Sequence, residues 1–299
     1  MATADSEAES PGATSRLRAY LELGKLRLSS LAVFAVLAGL WLGSPPMVTP
    51  SLRLAFWTTL GSLLIAIAGN ALNMYSERDV DPLMERTRHR PLPTGRLSPS
   101  QVLVFGSTCA ALGLLVLAIE TNGLATVLCG LVFASYVFLY TPLKRVTELN
   151  TLVGAVPGAL PPVVGYAAAR GELDVAAGVL FTILFLWQIP HFLAISWRYR
   201  HDYARGGMKM LAARDAEGVT IRRQMLVYTL ALVAVSLLPY RVGMSGGAYL
   251  ASAALLGVVF AVPVFFAAVL RWESAMRQTF IVSIVYLPLL LGVMVLDRA

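Results

Sequence analysis

Nine apolar stretches divide this chain, at about residues 26–44, 53–76, 101–120, 123–141, 151–169, 174–197, 225–240, 247–270 and 278–296. A helix needs roughly 17–25 apolar residues to cross a bilayer, and the first and seventh stretches are the shortest of the nine. Hydrocarbon offers no water to backbone N–H and C=O groups, so all nine are predicted to be helices. Most connections are short, which makes neighbours antiparallel. The pattern therefore predicts an all-α, polytopic membrane protein, a bundle of nine transmembrane helices. Gly and Ala in the runs 151–169 and 251–268 permit close helix contact. Two connections, about 77–100 and 198–224, are longer than joining requires, and loops of that length are more often functional. A coarse repetition links them: a helix ending in acid and a basic loop occurs at Asp81 and again 121 residues later at Asp202.

Charge sharpens this topology. The 299 residues are 57% hydrophobic and 14% charged, where a soluble domain carries about 25% charged residues. Of the 24 Lys and Arg, 20 fall in the N-terminal segment and alternate connections. The positive-inside rule puts that side and the N-terminus in the cytoplasm, and the C-terminus in the periplasm. The asymmetry accounts for the net charge of +7, so the partner is the lipid bilayer and no nucleic acid is needed. Residues 1–15 are small, polar and acidic and are predicted to be a disordered cytoplasmic tail. The acids Asp5, Glu7 and Glu9 argue against a mitochondrial transit peptide and for a bacterial inner membrane. Residues 16–299 are then a single membrane domain, with the loops 77–100 and 198–224 capping its site. Cys109 and Cys129 lie in apolar runs without a CxxC partner, as small core residues do.

Candidate chemistry gathers where the runs end on the basic side. Asn73, Glu77 and Asp81, four apart, are predicted to share one helix face, with Asp79 pointing elsewhere. Carboxylates alone repel a diphosphate. Mg²⁺ reverses that sign, taking oxygen ligands from one or two carboxylates and from the phosphates together. Asn70 and Asn73 reach into the apolar run, where polar groups are costly; a salt-bridged helix end is the plainer alternative. Next come Arg86, Arg88, Arg90 and Arg96 in a loop punctuated by prolines. They are phosphate-binding candidates or topogenic charge touching anionic lipid. Lys144 and Arg145, just after Tyr140, offer a hold on the far phosphate, with topogenic charge again the alternative.

Trp187, His191, Arg198 and Asp202 recur at intervals of four, seven and four, near one helical stripe. A histidine that deep is a candidate metal ligand, or a side chain hydrogen-bonded across helices beside Pro190. Asp202 is a second candidate metal carboxylate, or a cap or ion-pair residue. No Walker loop, GxGxxG, HExxH, CxxC or GxSxG is present, so NTPase, dinucleotide and hydrolase readings lose their support.

Three stretches carry a family resemblance: ERDVDPLMERTRHRPLPTGRLS at 77–98, YTPLKRVTELNTLVGAVPGALPPVVGYAA at 140–168, and WQIPHFLAISWRYRHDYARGGMKML at 187–211. They resemble the UbiA superfamily of intramembrane prenyltransferases and, within it, the branch that farnesylates heme. Asn73–Glu77–Asp81 is similar to that family's NxxxDxxxD motif, with Glu in the middle place. The resemblance spans essentially the whole chain. It implies transfer of the farnesyl group of farnesyl diphosphate to a vinyl group of heme B, giving heme O for terminal oxidases. Heme A synthase or oxidase assembly would be the onward partner. It implies Mg²⁺ on Asn73, Glu77, Asp81 and Asp202, with Arg86, Arg90, Lys144 and Arg145 neutralising the leaving diphosphate. Tyr140 and Trp187 would screen the allylic cation and His191 would orient heme, with Asn70 and Arg198 completing the substrate contacts. A sibling activity on an aromatic quinone precursor, or a transporter or heme-handling protein without chemistry, are the alternatives. Two departures stand out: Glu77 adds a methylene to the motif, and Gly206 replaces the second acid of the family's DxxxD. The second weakens the expectation of a second carboxylate-ligated Mg²⁺.

Overall fold

The computed structural model describes residues 13–45 and 48–299. It opens with a short helix, α1 (Ala13–Gly24), and continues into nine helical spans. These are α2 (Leu26–Gly43), α3 (Leu52–Ser76), α4 (Pro99–Glu120), α5 (Gly123–Ala134), the pair α6 (Asn150–Ala159) and α7 (Pro161–Arg170), α8 (Val175–Arg198), α9 (Val219–Val235), α10 (Gly247–Ala268) and α11 (Glu273–Leu296). Local chemistry sets several starts. Ser51, Ser98, Asn122 and Asp174 each accept a backbone N–H from the first turn of the helix that follows. At α4 a reciprocal Ser98–Gln101 box and Pro99 complete the start signal.

Close packing uses glycine where two backbones meet. A Cβ at Gly39 would overlap the Pro162 carbonyl oxygen, and one at Gly165 would overlap that of Val36. These glycines let α2 and α7 lie in direct contact, as the small residues in that run predict. Gly61 and Gly113 do the same for α3 and α4. Cys109 and Cys129 are free and buried.

Five places differ from the pattern. Residues 13–15, expected in a disordered tail, belong to α1; the rest of that tail lies outside the described residues. α1 is too short and charged to look like a span. It lies on the bundle with Ala19 and Leu23 buried against Ala71, Met74, Leu97 and Val102, while Leu17 and Leu21 are exposed. The seventh and ninth spans begin at Val219 and Glu273, a turn or more before their apolar runs. The seventh carries Arg222 into the bundle, where it is buried and donates to Glu273, at the exposed start of the ninth, at 2.7 Å. Asp81 is not on the helix of Asn73, because α3 ends at Ser76, Glu77 is its C-terminal cap, and Asp81 opens a 3₁₀ turn. Likewise α8 stops at Arg198, and a separate helix, Arg200–Arg205, carries Asp202. The stripe from Trp187 to Asp202 is therefore broken at Tyr199.

Candidate active site

A cavity of about 400 Å³ enters the bundle from the side that carries α1 and the two long loops. Its mouth is charged. Glu77 and Asp81 are 4% and 0% exposed, so each needs a nearby compensating cation. Arg90 supplies one, donating from a single Nη1 to Asp81 at 2.7 and 2.8 Å and to Glu77 at 3.4 Å. Lys144 donates to the other Glu77 oxygen at 2.7 Å. Burial alone would raise the Glu77 carboxyl, but Lys144 and Arg90 hold it down at about 2. At Asp81 burial outweighs Arg90, and the carboxyl is raised.

Asn73 completes the acidic side. Its amide N–H donates to Thr141 Oγ1 at 3.1 Å, and Thr141 in turn donates to the Tyr136 carbonyl. That fixes the amide and, among the described residues, leaves Asn73 Oδ1 free as an acceptor. Thr141 reaches Asn73 because the end of the fourth span winds as a π-helix over Ser135–Tyr140, a distortion that often marks functional sites. The same turn puts Tyr136 and Tyr140 on the cavity wall, with Lys144 Nζ 4.5 Å from the Tyr140 ring centre.

Two further cations face the mouth. Arg86 lies over Tyr199 and Tyr203 at 5.0 and 5.5 Å and donates to the Tyr203 hydroxyl. Lys25 lines the cavity from the α1–α2 junction. Its backbone is left-handed, with φ 43° and ψ 51°, a conformation that costs a non-glycine residue roughly 1–2 kcal/mol. Asn70 and Ser29 bond the Gly24 carbonyl just before it and hold that turn. Burial, then repulsion from Arg90 and Lys144, lowers the Lys25 ammonium to about 7. Arg86, Arg90, Lys144 and, below about pH 7, Lys25 thus set positive charge around two carboxylates, and the excess calls for an anion.

The remaining candidates stand back from the cavity. Asp202 does not join Glu77 and Asp81. Its oxygens accept the backbone N–H groups of Glu85 and Arg86 at 3.2 Å and pair with Arg205. Burial opposes ionisation of Asp202, but Arg205 and those two N–H groups lower its carboxyl. Arg145 pairs with Asp79 at 2.6 Å on the outer surface, and Arg198 lies beside Tyr199. Arg96 ties its loop to α1 through Glu22 at 2.7 Å. The Arg88 side chain hydrogen-bonds its neighbour His89. Gly206 sits against Met84, which packs with Met208 and Met210, so the two long loops interlock over the mouth.

Deeper, the wall becomes apolar and aromatic. Trp187, His191 and Leu287 line it, joined by Gln188, whose two amide hydrogens are donated to the Ala155 and Leu184 carbonyls. His191 lies seven residues inside the end of α8, about 10 Å by helical rise. Lys25, Gln188 and Tyr203 are cavity residues that spacing and charge did not single out, although Gln188 and Tyr203 lie within the stretch 187–211. Lys25 has the charge of a topogenic residue, and only its left-handed turn and the packing of α1 aim it inward.

The donor set at the mouth is suited to a hard cation. Asn73, Glu77 and Asp81 offer only oxygen, and a guanidinium already bridges the two carboxylates. No group of three or more His, Cys, Asp or Glu gathers among the described residues. The protein would thus supply part of a Mg²⁺ shell, as is usual where phosphate and water supply the rest.

A helical bundle with a charged mouth over an apolar cavity defines a membrane-embedded site for a molecule with an anionic head and a greasy body. The chain belongs to the UbiA prenyltransferase family, whose model matches residues 32–289. It is 43% identical to a protoheme IX farnesyltransferase of Solibacter usitatus, over 94% of this chain and 99% of that one. It is 42% identical to one of Thiobacillus denitrificans, over 96% of each. Among solved structures it is similar to digeranylgeranylglyceryl phosphate synthase, with a TM-score of 0.76 at 15% identity over 94% and 98% of the chains. A UbiA homologue from Archaeoglobus fulgidus, bound to DMAPP and Mg²⁺, superposes with a TM-score of 0.64 at 16% identity over 92% and 98%. These two likenesses establish the fold.

Proposed function

We propose that the protein transfers the farnesyl group of farnesyl diphosphate to a vinyl group of heme B, giving heme O. The relatives named above are protoheme IX farnesyltransferases, and one observation carries the reading here. Lys25, Arg86, Arg90 and Lys144 surround the mouth of a cavity whose inner wall is apolar and ends at Trp187 and His191. The diphosphate is bound at the mouth and the isoprenoid tail runs inward.

As the C1–O bond of the allylic diphosphate breaks, negative charge grows on the leaving oxygens. Arg90 and Lys144, already desolvated and positioned, stabilise that charge without reorganising. Arg86, stacked on two tyrosines, adds a planar fork suited to phosphate. Asn73, Glu77 and Asp81 would hold Mg²⁺, which when bound supplies further charge neutralisation. Asp202 acts through the loop, fixing the backbone that presents Arg86. Tyr140 and Trp187 place electron-rich ring faces where the allylic carbon becomes cationic. The terminal vinyl carbon of heme forms the new bond to C1, water adds to the carbon next to the porphyrin, and a proton is released. His191 orients the heme. The basic side, with α1 and both long loops, faces the cytoplasm of a bacterial cell, and the C-terminus faces the periplasm.

The test is direct. Membranes containing the protein are given farnesyl diphosphate with either heme B or 4-hydroxybenzoate, and products are identified by mass. Farnesylated, hydroxylated heme is expected. Prenylation of the benzoate with heme untouched would sink the assignment in favour of a quinone-precursor enzyme.

A further inference from the structure

We propose that Ser283 selects the ring tautomer of His191, so that an unprotonated Nε2 faces the cavity as an axial ligand for heme iron. The proposal rests on heme being the acceptor substrate.

Ser283 is fully buried on α11, opposite His191 of α8. Its hydroxyl oxygen lies 2.7 Å from the Phe280 carbonyl oxygen and 2.8 Å from His191 Nδ1. Two oxygens at 2.7 Å need a proton between them, and a carbonyl has none to give. The single hydroxyl proton of Ser283 is therefore committed to Phe280. The hydroxyl meets His191 only as an acceptor, so Nδ1 carries the ring hydrogen. The neutral ring then bears its lone pair on Nε2, which has no hydrogen bond within the described residues.

The ring is also held in orientation. Trp187 stacks on it with centres 5.0 Å apart and planes at 22°, and Phe280 lies 5.1 Å away. Trp187 is itself pinned, because its indole N–H donates to the Ser283 carbonyl at 2.8 Å. One residue thus orients both rings, using its hydroxyl for the imidazole and its carbonyl for the indole. A neutral imidazole whose Nδ1–H is already donated is the arrangement that metal-ligating histidines adopt, since the outer hydrogen bond fixes the tautomer and raises ligand basicity. His191 lines the inner part of the cavity, among Trp187, Phe192 and Leu287 with the amide of Gln188, that a porphyrin face would share. Ser283 is a positioning residue, acting only through His191.

The full-length protein, in lipid nanodiscs with ferrous heme, is examined by heme titration and by the iron–histidine stretching band. Wild type should show the band, and His191→Ala should lose it. Ser283→Val should bind heme about 10-fold more weakly and shift the band to lower frequency. Ser283→Thr, matched to valine in size but keeping the hydroxyl, should restore both. An unshifted band and undiminished affinity in Ser283→Val would overturn the role of Ser283. A His191→Ala complex with the wild-type spectrum would overturn the axial ligand as well. Farnesylation of heme by the wild-type protein, assayed in parallel, separates a wrong ligand from a wrong substrate.

Discussion

The two acidic helix ends look alike in sequence and do different work. At the first, Glu77 lines the cavity mouth with Asp81 buried behind it, and the two meet Arg90 of the same loop and Lys144 from a distant part of the chain. At the second, Asp202 turns to the backbone of the first loop and holds the N–H groups beneath Arg86. Gly206, where the second acid of the DxxxD pattern would stand, carries none, and a Cβ there would already lie 3.0 Å from Met84 Sδ. A carboxylate's role follows from what stands opposite it. One end handles charge; the other orders the loop that handles charge.

The strongest break in that contrast is removal of charge at each end. Glu77→Gln and Asp81→Asn should each lower farnesyl transfer by about 10²–10³-fold. Asp202→Asn keeps an oxygen for one of the two backbone N–H groups and leaves the other without its acceptor, and it should cost only about 10-fold, or ~1.4 kcal/mol. Initial rates with farnesyl diphosphate and heme in native membranes decide this. Equal damage at Asp202 and Asp81 would place Asp202 in the reacting site.

Gly206→Asp asks whether the second acid can simply be restored. Met84 must move to admit it, so activity should fall, with a stability loss of about 1–2 kcal/mol read from thermal unfolding in detergent. A gain in activity would show that the second end is an impaired copy of the first.

A pH profile separates Lys25 from the carboxylates. With its pKa lowered to about 7, Lys25 is an ammonium below that pH and neutral above it. An anion binds the ammonium better, so KM for farnesyl diphosphate should rise roughly fivefold (~1 kcal/mol) as pH climbs from 6 to 8.5. Lys25→Gln should flatten that step. Glu77, held at about 2, stays ionised across this window and contributes no step. The smallest effect belongs to Glu77→Asp. It retracts the carboxylate from Lys144 but keeps its charge and restores the residue of the family's motif, for about a twofold change, ~0.4 kcal/mol.

The nine spans, the fold class and the charged face were legible because burial in lipid leaves a long apolar signature and topogenic charge a one-sided one. Asn73, Glu77, Asp81, Arg90, Lys144 and His191 were legible as candidates too, since polar groups in or beside apolar runs are costly unless used. Their partners were not. Helix periodicity placed Asp81 on α3 and Asp202 on α8, yet both helices stop early, and the chain returns each acid by a turn that no spacing encodes. Arg145 and Lys144 are neighbours in sequence, but only Lys144 turns to the cavity while Arg145 pairs outward with Asp79. Lys25 entered the site through a left-handed turn, and Ser283 reached His191 across 92 residues. Apolar length and charge bias are properties of short segments and survive in one dimension. Hydrogen-bond partners and the direction of a side chain depend on which helices pack together, and that is settled only when the bundle closes.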